Sequence, residues 1–219
     1  MELITRRRFG LITMGGVAVL ALGTEEGCNL SSALTEADNI IMLIAPLGDG
    51  AAVIVEIADP PLAPAVMAAV KIYDLGVAAV EKYLADWAKA AGSAQPGILS
   101  QAQAAVLALK NDVASLIAAA QVKSASAAAE IEVIFGTIVN EISALLTVIP
   151  QIGALGGTTQ AMNAYSKTVA SGRAKNLYGV RSAKTHRNDL VKRFSRPTGT
   201  AIDPARTALG AKLSALQMK

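Results

Sequence analysis

Val66–Trp87 reads VMAAVKIYDLGVAAVEKYLADW. Within it Val66, Val70, Tyr73, Val77, Val80, Leu84 and Trp87 follow one another at alternating steps of four and three residues. At about 3.6 residues per turn, those steps place all seven side chains on one stripe of an α-helix. A stripe of this kind is the a/d seam of a helix that winds against neighbours. It runs for roughly 33 Å, at ~1.5 Å of rise per residue. Each fully buried Val or Leu contributes about 1.5–3 kcal/mol. A lone helix cannot gain that energy, so the chain must supply partner helices. Tyr73 and Trp87 sit on the seam and read as core or seam-edge residues rather than as a cofactor box.

The partners lie on either side. Downstream, Gly92–Gly97 is a turn by composition, and a helix is predicted from about Ile98 to Val122 with Ala102, Val106, Leu109, Val113, Leu116 and Ala120 on its stripe. A break at Lys123–Ser126, where Ser124 or Ser126 can cap, leads to a helix over about 127–149. Its stripe is Ile131, Phe135, Ile138, Ile142, Leu145 and Ile149, and Pro150 and Gly153 are expected to end it. Upstream, Ile40, Ile44, Leu47, Ala51, Ile54 and Ala58 repeat the same spacing. Pro46 and Gly48-Asp49-Gly50 interrupt this stripe, so two helical pieces are expected, about 34–45 and 50–58. A β-hairpin of IIMLI and AVIVEI around the glycines is the alternative. The predicted fold is all-α: an antiparallel four-helix bundle over 31–157, built from long heptad-patterned helices. Each helix carries charge off its seam, such as Asp74, Glu81 and Asp86, or Glu130, Glu132 and Glu141. This reads as the solvated face of a soluble bundle rather than a membrane span.

Composition agrees with that reading. Hydrophobic residues make up 53% of the 219-residue chain but aromatics only 4%, so the helices have alanine-rich, closely approaching surfaces. One Cys excludes an internal disulfide, and one His excludes a His-rich metal site. The net charge of +3 is unevenly spread. Between Ser31 and Thr159, five lysines face twelve carboxylates, a net of −7; from Gln160 onward, twelve Lys and Arg face two, a net of +10. Residues 158–219 form a basic extension ending in a short amphipathic helix over 204–218, with Asp203 as N-cap and Ala205, Leu209, Leu213 and Leu216 on one face. Lys167, Arg173, Lys175, Arg181, Lys184, Arg187, Lys192, Arg193 and Arg196, interleaved with Tyr165, Tyr178 and Phe194, are the candidate polyanion-binding residues. The acidic bundle is itself a surface on which such a tail could dock.

Residues 1–30 have the layout of an export signal or signal anchor. Arg6, Arg7 and Arg8 precede the mildly apolar run Leu11–Leu22, which is short for a spanning helix of about 20 residues. Thr5-Arg6-Arg7-Arg8-Phe9-Gly10-Leu11 resembles the bacterial twin-arginine export signal, with Arg6, Arg7 and Phe9 on the positions that define it. The resemblance is confined to these 30 residues and implies export of a prefolded protein to the periplasm or cell envelope. Cys28 resembles the acylated cysteine of bacterial lipoproteins and is the candidate lipidation residue. Of Glu25-Glu26-Gly27 before it, only Gly27 fits that box, and Ala21-Leu22-Gly23 offers a competing cleavage site.

No catalytic pattern is present: no H-E-x-x-H, G-x-S-x-G, P-loop or Rossmann glycine motif. Glu130 and Glu132 lie on different helix faces. His186 lacks the Glu-x-x-His context of bundle di-metal sites and reads as a solvated tail residue. No catalytic residue, metal ligand or cofactor is therefore assigned. The expected protein is a non-enzymatic, exported helical bundle with a structural or adaptor role. Its expected partners are another protein or a second copy, an anionic envelope surface, and the membrane through the N-terminal segment or Cys28; an exported chain rarely meets nucleic acid. The export reading has a direct test: changing Arg6 and Arg7 together to Lys should block delivery to the envelope, measured by cell fractionation, and unchanged delivery would overturn it.

Overall fold

A computed structural model describes residues 11–14, 17–20, 30–90, 93–155 and 182–218. Strands β1 (Leu11–Met14) and β2 (Val17–Leu20) pair antiparallel within the apolar run of the predicted signal, with Leu11 opposite Leu20 and Met14 opposite Val17. Every other described element is helical. The helices are α1 (Leu30–Ala58), α2 (Ala63–Lys89), α3 (Gln95–Ala119), α4 (Ala125–Leu155), α5 (Ala183–Phe194) and α6 (Asp203–Ala215), with a 3-10 turn at Pro60–Leu62. The six helices pack against each other around one continuous apolar core. α1 packs on α2 and α4, α3 packs on α2 and α4, and α5 and α6 pack on each other and on α1.

The predicted seams are buried. All seven residues of the Val66–Trp87 stripe are in the core, as are the six of α3 and the six of α4. Tyr73 is fully buried, and its hydroxyl donates to Ile44 O on α1 at 2.7 Å. Burial holds this phenol protonated far above its ordinary range, so it remains a donor. Ser124 caps α4, accepting from Ala127 N at 3.5 Å. α3 begins three residues earlier than expected, because Pro96 is tolerated in a first turn, where its missing N–H leaves no bond unmade.

Two proline expectations are corrected. α1 is one continuous helix through Pro46, neither two pieces nor a hairpin, and α4 runs through Pro150 to Leu155. An interior proline costs about 3 kcal/mol. Beyond Pro46, Leu47, Ile54 and Val55 are each completely buried, as is Ile152 beyond Pro150. At about 1.5–3 kcal/mol each, such side chains offset that cost. The glycines of Gly48-Asp49-Gly50 are contact points rather than a break. A Cβ on Gly48 would lie 2.7 Å from the Tyr73 ring, and one on Gly50 would lie 2.7 Å from Leu209 of α6. Their absent side chains let α2 and α6 close on α1.

A paired substitution tests this. Gly48→Ala should destabilise the fold by about 1–3 kcal/mol through overpacking against Tyr73. Gly136→Ala, where nothing lies within 4 Å, should stabilise α4 by roughly 0.5–1 kcal/mol. Urea denaturation of both variants provides the comparison.

Candidate functional site: the seam between the C-terminal helices and the bundle

α4 carries a second stripe beside its apolar seam. Ala127, Glu130, Ile134, Thr137, Glu141, Ala144 and Val148 step by three and four residues, and all but half-buried Thr137 are buried. Glu130 and Glu141, eleven residues apart, lie about three helical turns from one another on the same face. The expectation that these two acids are solvated is therefore corrected; Glu141 is only 1% exposed. A buried carboxylate requires a partner, and the C-terminal helices supply one for each.

Glu130 meets two arginines. Arg193 of α5 donates from Nε to its Oε2 at 2.8 Å, and the Arg206 Nε of α6 lies 3.4 Å from its Oε1. The second contact is an ion pair without hydrogen-bond alignment. Arg206 is 3% exposed and spends its remaining donors on backbone: Nη1 donates to Arg196 O at 2.7 Å and Nη2 to Arg193 O at 3.0 Å. Arg193 lies in the last turn of α5 and Arg196 two residues past its end. One planar guanidinium thus ties the end of α5 to α6 and α4. Nη1 also reaches Asp203 Oδ1 at 3.1 Å. Asp203 is the first residue of α6 rather than its N-cap, which is Ile202. Its carboxylate gathers the preceding loop, accepting from Thr198 N, Thr198 Oγ1, Gly199 N and Thr200 N at 2.7–3.3 Å. The Thr198 hydroxyl, followed by the backbone donors and Arg206, holds this carboxyl well below the usual range. Gly199 has φ +75°, a left-handed conformation that favours glycine.

The other end of α5 meets Glu141 and Glu36. His186 Nδ1 hydrogen-bonds Glu141 Oε1, and Ala183 N in the first turn donates to Glu36 Oε1 of α1 at 2.9 Å. Ser182 caps the helix, accepting from Thr185 N at 3.4 Å. A carboxylate at a helix N-terminus also gains from the helix dipole. His186 is thus a docked residue, not a solvated one. Burial pushes the Glu141 carboxyl up; the His186 bond and charge oppose this, and Glu36 adds to it.

The candidate binding residues divide into groups. Arg6, Arg7, Phe9, Cys28, Lys167, Arg173, Lys175 and Arg181 lie outside the described residues. Arg187 is turned inward, donating to Leu216 O at 2.6 Å, and Arg193 is held by Glu130. Lys184, Lys192 and Arg196 are exposed. Among the described residues, no three His, Cys, Asp or Glu side chains converge as a metal ion would require. The groups that do converge bind one another, so this arrangement attaches the C-terminal helices to the bundle. The spacing of Glu130 and Glu141 within an otherwise apolar stripe was the sequence signal for it.

Four helices, spanning Ala33–Ala58, Pro60–Lys89, Gln95–Ala119 and Ala125–Gly153, are long and apolar enough to cross a membrane by length and composition. This corrects the expectation that charge alone excludes them. In comparison with known proteins, the chain matches no family model, no curated protein and no solved structure.

The two arginines on Glu130 should differ sharply in weight. Arg206→Ala leaves buried Glu130 with only the partly exposed Arg193, removes the bonds to the Arg193 and Arg196 carbonyls and opens a cavity at a 3% exposed position, and should cost about 3 kcal/mol. The Arg193 side chain is 42% exposed, so Arg193→Ala should cost less than about 1 kcal/mol. Chemical denaturation of both variants provides the check.

Proposed function

We propose that this chain is a non-enzymatic, exported protein of the cell envelope whose antiparallel four-helix bundle, α1–α4, acts as a structural or adaptor module through its helix faces. The observation that carries this reading is the asymmetry of the surface. α5 and α6 cover one flank of α1, and the exposed large apolar side chains fall mostly on the other side of the bundle: Met67, Ile72 and Leu75 on α2 and Leu107 and Ile117 on α3, Leu75 at 72%, against Val53 and Ile57 near the end of α1 and Val139 on α4. Exposed apolar side chains that cluster on one side of a molecule, rather than scattering singly, mark interaction surfaces. The short connections at 59–62 and 120–124 support an antiparallel arrangement. The twin-arginine resemblance of residues 1–30 supports export of an already folded body.

The length and apolarity of α1–α4 also fit a membrane reading, but the placement of α5 weighs against spanning. α5 lies beside α1 and carries exposed Lys184 and Lys192, with Arg196 just beyond its end. Each such cation would cost about 2.5–3.5 kcal/mol at the centre of a bilayer. An association with the membrane surface, or through the N-terminal segment or Cys28, keeps these groups in water.

Polyanion binding is the second reading, favoured by the same three exposed cations, since phosphate-bearing surfaces are held by such groups. With Arg187 and Arg193 engaged internally, the described basic surface is smaller than the sequence implies. Retention on anionic vesicles that collapses with salt would favour it.

Photo-crosslinking distinguishes the two readings. A photoreactive residue at Leu75 should give discrete protein adducts in intact cells, while one at Lys192 should not. Adducts at Lys192 alone would replace the adaptor reading with the polyanion one.

A further inference from the structure

The corner formed by Glu36, Glu141 and His186 joins three helices that are distant in sequence. Glu141 comes from α4, buried and hydrogen-bonded to His186 of α5; Glu36 comes from α1 and accepts from the N–H of Ala183 at the start of α5. Among the described residues, the ionisable groups that act on Glu141 are His186 and Glu36. The other ion pairs of the docked surface lie elsewhere: Arg193 and Arg206 on Glu130 are about three turns along α4, and Lys212 reaches exposed Asp49 at 3.6 Å. Arginine stays charged at all relevant pH values, so the cations on Glu130 are fixed, unlike the imidazole on Glu141.

We propose that Glu36, Glu141 and His186 form a proton-operated latch that holds α5, and α6 with it, against α1 while Glu141 and His186 share one proton, and loosens them when that proton leaves. With one proton between them, the pair is neutral overall, and Glu36 alone faces the positive end of α5. Without it, a buried carboxylate and Glu36 carry two negative charges at one corner, and a neutral imidazole balances neither. The sign agrees with the environment of Glu141: a carboxyl raised by burial contributes stability that is present in acid and is lost as pH rises through its folded value. Loosening would uncover the flank of α1 around Leu43 and Gly50, both buried, and so make that apolar surface available as a function of pH.

Hydrogen exchange on the full chain tests this. The readout is the exchange of α5 amides relative to α3 amides, which cancels the intrinsic pH dependence. As the pH is raised from acid to alkaline the ratio should rise, by up to about tenfold per pH unit once the proton is lost. In Glu141→Gln, which places a neutral isostere in the corner, the ratio should stay flat. A flat ratio in the unmodified chain, or an equal rise in Glu141→Gln, overturns the proposal. Half-exposed Glu36 offers a second variant should Glu141→Gln fail to fold. Glu36→Gln removes the neighbouring negative charge and should move the transition to lower pH; an unmoved transition also overturns it.

Discussion

α1 is buried on nearly all sides, and the rest of the molecule follows from that constraint. Between Ala33 and Ala52 only Asp38 and Asp49 are exposed. A helix apolar around its circumference needs cover around its circumference. α2 and α4 cover two flanks, which leaves a third. α5 and α6 fill it, bringing Leu190, Phe194, Leu209 and Leu213 into the shared core. The two glycines of α1 set how closely this occurs, one against Tyr73 and the other against Leu209.

Apolar burial brings the C-terminal helices to α1, and the buried charges specify where they sit. Ion pairs in a low-dielectric setting add little net stability, because desolvation consumes most of the attraction. Leaving one partner alone is far more costly, so Glu130 and Glu141 penalise any placement of α5 and α6 that does not present His186 and Arg193 of α5 and Arg206 of α6 to them. The arrangement has distinct ends. At Glu130 the partners are permanently charged arginines; at Glu141 the partner is an imidazole whose charge depends on protonation.

The site was less legible in the sequence than the helices, for a physical reason. A helical stripe depends on spacing within one segment, and the seams of α2, α3 and α4 could be read residue by residue. Glu130 and Glu141 carry the same kind of spacing, but a carboxylate on a helix is ordinarily solvated, and its burial depends on partners far along the chain, His186 45 residues after Glu141 and Arg193 63 residues after Glu130 among them. His186 is isolated in sequence and gains its role only from a helix that returns to the bundle. Pro46 and Pro150 mark local breaks by their covalent geometry, yet the helices continue, because the residues beyond them are buried too well for the local cost to prevail.

By itself, the sequence determined that the body is helical, where its apolar seams lie, and that the two halves carry opposite charge, because periodicity and composition are local properties of the chain. Only the tertiary structure decided that α1, rather than the cleanly patterned α2, is the helix on which α2, α4, α5 and α6 all pack. It alone turned a glycine pair from a break into two contact points and made α5 and α6 a docked cover. Those outcomes depend on which surfaces meet, and the energy of a meeting surface belongs to both partners at once.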